Sequence, residues 1–312
     1  VAASYHIVDT IFVGSLGTDA LASMTISMPI MLIFIAVENG TGVGAASLIA
    51  RRLGAGRLEE ANRALSIAIT LTIGLGGLMT AICLPLLRPI LETFGATANV
   101  MILAESYVSI LVIFAVVESF FMVMGTIIRA EGSPLFSSII HIISAVVNII
   151  LDPIFIYGWG PAPEMGIAGA ATATVIARSI GALIFVYYFL SGRSSAHFRL
   201  RYFLLKLSVL KEIYKVGFAS MVRMGGWSIL MIFVNRLAIG FGVTTIAILG
   251  VINRANSFAR MPSFGISQGM MPLAGYNYGA GKMDRTGEVF SKATRAALIW
   301  GGHLRFVYYG VS

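Results

Sequence analysis

The sequence predicts an all-α, polytopic membrane protein built from parallel six-helix repeats, and three observations carry that prediction. Of the 312 residues, 57% are hydrophobic and 12% charged, with a mean hydropathy of +0.88; a soluble domain carries roughly 25% charged residues. Apolar spans of about 20 residues, the length that crosses a bilayer, follow one another along the chain. One phrase also occurs twice, 225 positions apart: LGAGRLEEANR at 53–63 and YGAGKMDRTGE at 278–288.

The spans are read at about 1–15, already under way at Val1, then 20–50, 64–87, 102–128, 136–158, 166–190, 208–240, 245–276 and 287–302. That is about eight or nine transmembrane helices. Connections are short, and the longest polar one is SGRSSAHFRLRYFLLK at 191–206. Neither an initial Met nor a charged region precedes the first span, so no signal peptide is expected, and HLRFVYYGVS at 303–312 turns polar within the last span. Both ends read as truncated. The division that follows is a first six-helix lobe over 1–190 with its first helix incomplete, a basic inter-lobe loop over 191–207, and the start of a second lobe over 208–312, with two helices and part of a third.

The net charge of +8 does not indicate nucleic acid, because of where the bases fall. When successive loops are assigned to alternate sides, fifteen of the 22 lysines and arginines lie on one side and Arg88 alone on the other. The remaining six lie within or beside helices. The positive-inside rule puts the fifteen in the cytoplasm, together with both copies of the phrase and the 191–206 loop. The single cysteine, Cys83, gives no disulfide framework, and the four histidines are scattered without ligand spacing. No phosphate loop and no nucleophile with an adjacent base occurs, so no enzyme is expected.

At the same offset, Gly17 falls on Gly242, Gly40 on Gly265, Gly44 on Gly269 and Gly54 on Gly279. An even shift of six helices preserves orientation, which makes these parallel repeats, one of the architectures of secondary transporters. Gly40, Gly42, Gly44, Gly265 and Gly269 permit close helix contact or serve as bending points.

Charged side chains at membrane depth cost roughly 2.5–3.5 kcal/mol each on insertion scales and mark function by default. The acids are Asp9, Glu38, Glu118 and Asp152. Asp152 lies in NIILDPIF one turn after Asn148, and Pro153 frees the carbonyl of Ile149. Carboxylate, amide oxygen and bent backbone suit a proton or a hard cation. Alternatively, Asp152 caps a helix break and Asn148 joins helices. Glu38 and Glu118 are a secondary pair of acids, either for transport or for structural ion pairs with Arg223, Arg254 or Arg260. Fifteen methionines and 11% aromatics suit a pliable cavity, and equally suit ordinary membrane packing.

DTIFVGSLGTDALASMTISMPI, GTGVGAASLIARRLGAGRLEEA, RAEGSP, NIILDPIFIYG, GIAGAATATV and QGMMPLAGYNYGAGKMDR together resemble the multidrug and toxic compound extrusion (MATE) family, over about residues 5–295 and in family order. The resemblance implies twelve helices in two lobes, of which the last three are missing here, so this chain alone is not expected to transport. It also implies a monomeric, multi-pass antiporter of the cytoplasmic (inner) membrane. Such an antiporter exports small amphipathic organic cations, drugs among them, against inward proton or sodium flow, without a cofactor. Asp9, Asn148 and Asp152 match the first-lobe ion site of one branch of the family. Thr174 matches it too, with the backbone of Ala170, although Thr172 is an equal register; sodium would sit at Asp9, Asn148, Asp152 and Thr174. Arg129, Gly132 and Pro134 of RAEGSP resemble the family's loop between its fourth and fifth helices and read as turn residues. The alternative is a flippase of the same wider superfamily moving lipid-linked saccharides, which would want a strongly cationic cavity.

Overall fold

The computed structural model describes residues 2–160, 162–203, 206–239 and 243–309, and among them it contains helices and no strand. The segment that the sequence reading assigns to the first lobe holds α1 (Ala2–Gly14), α2 (Thr18–Gly54), α3 (Leu58–Cys83), the short α4 (Leu87–Thr93), α5 (Ala98–Ile113), α6 (Ala115–Ala130), α7 (Pro134–Tyr157) and α8 (Ile167–Leu190). A 3-10 turn at Leu200–Tyr202 precedes α9 (Leu207–Ile239), α10 (Val243–Gly279) and α11 (Met283–Tyr309). By length and composition α2, α3, α7 and α8 can each cross a membrane, and α5 with α6 forms a fifth, broken span. Gly242, expected as a turn, lies outside the described residues.

Two boundaries differ from the sequence reading. The span expected at 102–128 is two helices bent by 57°, with Phe114 at the joint. The break leaves the carbonyl of Val112 without its helical partner, and the Thr80 hydroxyl bonds it at 2.6 Å. Gly76 makes room, since a Cβ there would lie 2.6 Å from Val116 Cα. Broken backbone at membrane depth needs such replacement partners, because lipid offers none. The last helix, read from the sequence at 287–302, runs from Met283 to Tyr309.

Two apolar clusters fill the first lobe. One, towards the α1–α2 turn, includes Val13, Ile30, Phe34, Val108, Ala115, Ile156 and Ala171. The other, towards the repeated phrase, includes Ala45, Leu65, Phe121, Ile140, Ala182 and Phe185. On α2, α6, α7 and α8 the stretch between the two clusters carries the polar residues: Glu38; Glu118 and Ser119; Ser144, Asn148 and Asp152; Thr174 and Arg178. The lobe therefore has a polar waist between two dry layers.

The repeated phrase has a physical meaning. A Cβ on Gly54 would lie 1.9 Å from Tyr276 O, and one on Gly279 would lie 2.0 Å from Arg51 O. These two contacts exchange under the 225-residue offset, so the C-terminal ends of α2 and α10 touch at one quasi-twofold point. The second glycine of each phrase acts differently, since Gly56 and Gly281 turn the chain at φ +70° and +72°, where a side chain is strained. Further up, α2 lies against α9. A Cβ on Gly44 would meet Ile213 O at 2.2 Å, and one on Gly217 would meet Gly40 O at 2.3 Å. Arg52 donates to both carboxylate oxygens of Glu212, at 3.0 and 2.8 Å.

The inter-lobe loop is strapped to lobe one rather than loose. Ser194 and Ala196 are buried. The Ser194 hydroxyl bonds Glu131 at 2.6 Å, His197 N–H donates to Asn62 Oδ1 at 2.6 Å, and Arg199 N–H to Ser66 at 3.0 Å. Thr70 donates to the Phe203 carbonyl at 3.1 Å. Glu59 accepts from Arg201 at 2.9 Å and from the Tyr202 hydroxyl.

Candidate functional site

Asn148 and Asp152 lie one turn apart on α7. The Asn148 Nδ2 donates to Asp152 Oδ1 at 3.2 Å and, on α8, to Thr174 Oγ1 at 3.4 Å. The Thr172 hydroxyl instead bonds back to Ala168 O at 2.8 Å, so Thr174 is the register that meets Asn148. Ala170, buried at 0% exposure, lies one turn before it. Asp9 comes from α1, which packs against α7, and its charge is felt at Asp152.

Asp9, Asn148 and Asp152 are 2%, 3% and 0% exposed. Each keeps one buried oxygen without a hydrogen-bond partner: Asp9 Oδ1, Asn148 Oδ1 and Asp152 Oδ2. Buried polar atoms are nearly always paired, and an ionised carboxylate left bare in a dry bundle is costly. Orphaned oxygens of two neighbouring acids and one amide are a donor set that a proton or a small cation completes. No group of three His, Cys, Asp or Glu arranged for a resident metal ion occurs among the described residues. Helix α7 continues through Pro153 to Tyr157 and ends at Gly158 with φ 70°, so Asp152 does not cap a helix break.

The remaining candidates read from the sequence land differently. Glu38 is 3% exposed and accepts from the Ser119 hydroxyl at 2.8 Å. Glu118 forms an ion pair with Arg178 on α8, an arginine of its own lobe, instead of with the second-lobe arginines expected; the Arg254 side chain lies outside the described residues. The sequence reading weighs only acids at membrane depth and so misses Arg178, yet the same cost argument marks a largely covered arginine within the bundle. Arg129 is not a turn residue. It lies in the last turn of α6 and donates to Ser137 at 3.1 Å and Thr126 at 2.8 Å, joining α6 to α7. Gly132 does make the turn, at φ +99°, and Pro134 opens α7. Gly40 and Gly44 sit at close contacts, whereas nothing lies within 4 Å of a Cβ built on Gly265 or Gly269.

An all-helical chain with apolar membrane-length helices, a twofold-repeated lobe ending and acids buried at mid-depth is a polytopic membrane protein of the transporter class. The MatE family model matches residues 1–154 and 218–309, and the chain belongs to that family. It is 29% identical over 283 residues to the multidrug export protein MepA of Staphylococcus aureus, covering 89% of this chain and 61% of the relative. The Staphylococcus haemolyticus MepA is 28% identical over 279 residues. The chain thus spans about three fifths of the length of these relatives. Among solved structures, it is similar to a MATE family multidrug resistance transporter in an outward-facing conformation, with TM-score 0.90, 29% identity, and 97% of this chain and 67% of that one covered. It is also similar to a MOP superfamily transporter from Pyrococcus furiosus, with TM-score 0.91, 29% identity, and coverage of 98% and 67%.

Proposed function

We propose that this chain forms the first lobe and the start of the second lobe of a secondary antiporter of the cytoplasmic membrane, which exports amphipathic organic cations, drugs among them, against inward flow of protons or sodium ions. The observation that carries this reading is the cluster of orphaned oxygens on Asp9, Asn148 and Asp152 beside Thr174. Two carboxylates near each other in a low-dielectric bundle cannot both stay ionised at low cost, so each arrival of a proton or sodium ion relieves the pair. Thr174 and the carbonyl of Ala170 complete the oxygen set when the ion is sodium. An ion drives the lobes between two packings only as far as its affinities for the two differ. The drug-export names of the relatives support the substrate class, and the acids in the described interior favour cations over the anionic carriers a flippase moves.

The test uses a chain that also carries the remaining second-lobe helices, reconstituted in vesicles. Ethidium efflux is measured under imposed proton and sodium gradients separately. Asp152→Asn is expected to abolish efflux driven by the coupling ion while leaving expression intact. Parental efflux by this variant under both gradients would refute the assignment.

A further inference from the structure

The polar waist holds a second acidic group that the ion site does not use. Glu38, on α2, is 3% exposed; its Oε1 accepts from Ser119, and its Oε2 is buried with no partner. Glu118, adjacent to Ser119 on α6, is paired with Arg178. Arg178 stands one turn along α8 from Thr174 and lies within electrostatic reach of both Glu38 and Asp9. Among the described residues, other charged or titratable groups on the surrounding helices are engaged or turned away, Tyr107 of α5 (engaged) and Arg260 of α10 (exposed) among them. Glu105 of α5 faces Arg88, His141 of α7 packs edge-on to Phe121, Tyr214 of α9 bonds Thr41, and Arg223 of α9 is exposed. The charges of α3 sit in its first two turns.

Two carboxylates therefore share one guanidinium. Among the described residues one cation faces two acids, which leaves one negative charge within the bundle, and an uncompensated buried charge is among the costliest features a fold can carry. We propose that Glu38 is a proton-binding site in its own right, held neutral beside the Glu118–Arg178 ion pair. A hard cation is bound by several oxygens at once. At Glu38 the partner is one hydroxyl whose hydrogen is already donated to Oε1, which suits a proton on Oε2 and not a sodium ion. Arg178 links this site to Asp9. If the ion-coupling reading above holds, a cation at Asp9 and Asp152 weakens their pull on Arg178, and the arginine then favours release of the Glu38 proton.

The proposal is tested on this chain in lipid by infrared pH-difference spectroscopy, which resolves the carbonyl stretch of a protonated carboxyl. Glu38→Gln, isosteric with the neutral acid, is expected to lose one such band and keep the parental melting temperature. Asp152→Asn should leave that band in place, so failure of the coupling site and failure of this one are distinguishable. Arg178→Gln should gain a second band as Glu118 loses its counter-ion, whereas Arg178→Lys should not. If Arg178→Gln does not fold, the double variant Glu118→Gln/Arg178→Gln removes both charges of the pair and should retain the Glu38 band. Retention of every protonated-carboxyl band in Glu38→Gln overturns the proposal. So does a melting temperature lowered more by Glu38→Gln than by Glu118→Gln, which would make Glu38 the ionised partner of the arginine.

Discussion

Replacing Gly54 with alanine tests whether the repeated phrase holds the C-terminal ends of α2 and α10 together. The new Cβ would sit 1.9 Å from Tyr276 O, a backbone atom, where ordinary contact begins at 3.4 Å. The ends of α2 and α10 must therefore part by roughly 1.5 Å, and overpacking of this kind costs typically about 1–3 kcal/mol. If the closed arrangement alone bears that cost, its population relative to a parted one falls about 5- to 150-fold. Nitroxides at Arg57→Cys and Lys282→Cys, both exposed, in a Cys83→Ser background report the separation by pulsed electron resonance. Gly54→Ala should shift the distance distribution outward. Gly279→Ala should match it, because its Cβ meets Arg51 O at 2.0 Å. The double variant should fall short of the sum, since both act on one contact. Gly74→Ala, with nothing within 4 Å of its Cβ, should gain about 0.5–1 kcal/mol of helix stability and move nothing. An unchanged distribution in Gly54→Ala would refute the reasoning.

The strap on lobe one should respond to pH. Burial pushes the Glu131 carboxyl from its ordinary 4.5 up to about 7, against the pull of bonds from Ser194 and the backbone of Ser195 and Ala196. A carboxyl raised on folding stabilises fully below its ordinary value and loses that stabilisation as pH rises through about 7, about 3 kcal/mol in all. Hydrogen exchange at residues 194–199, corrected for the base-catalysed rise of intrinsic exchange, should therefore quicken between about pH 4.5 and pH 7, and Glu131→Gln should flatten the profile; a persisting pH step in that variant counts against it. Topology is checked with an impermeant thiol reagent on intact cells. It should mark Trp159→Cys and spare Ser195→Cys, and the reverse pattern inverts the orientation. Ser194 itself is unsuitable, being 3% exposed. In the efflux assay Asp9→Asn should be as inactive as Asp152→Asn, with the double variant little worse than either; additive losses would separate the two acids. Thr80→Val should cost about 1–3 kcal/mol of thermal stability by orphaning the Val112 carbonyl, and an unchanged melting temperature would mean another group satisfies it.

Much of the architecture is legible in the sequence because the bilayer imposes length and polarity rules on every span. The helices, the repeat and the family motifs stand in the chain in the order the fold uses them. The break at Phe114 is not legible, since ILVIFAVVE contains neither proline nor glycine; the group that satisfies the freed Val112 carbonyl, Thr80, comes from another helix. The meeting of Gly54 with Tyr276 and of Gly279 with Arg51 is also invisible. An offset of 225 reports likeness between segments and says nothing of contact between them. At the candidate site, Asn148 and Asp152 follow from helix spacing, and the choice of Thr174 over Thr172 needs the packing of α7 on α8. Arg129 reads as a loop residue because its motif ends in Gly-Ser-Pro, although α6 runs one residue past it.

The strap changes where this polypeptide can be divided. The segment from Ser194 to Phe203 is stitched to Glu131, Asn62, Ser66, Thr70 and Glu59, all in lobe one, before the chain passes to α9 at Leu207. A gene split ahead of Ser194 would give the second fragment a stretch of backbone whose partners remain on the first, and would take from Asn62 Oδ1 and the Ser66 hydroxyl the N–H groups they accept from. A split after Phe203 keeps every stitch on one piece. Two separately translated halves are accordingly expected to find each other in the membrane when cut after Phe203, and to be degraded as orphans when cut at Gly192.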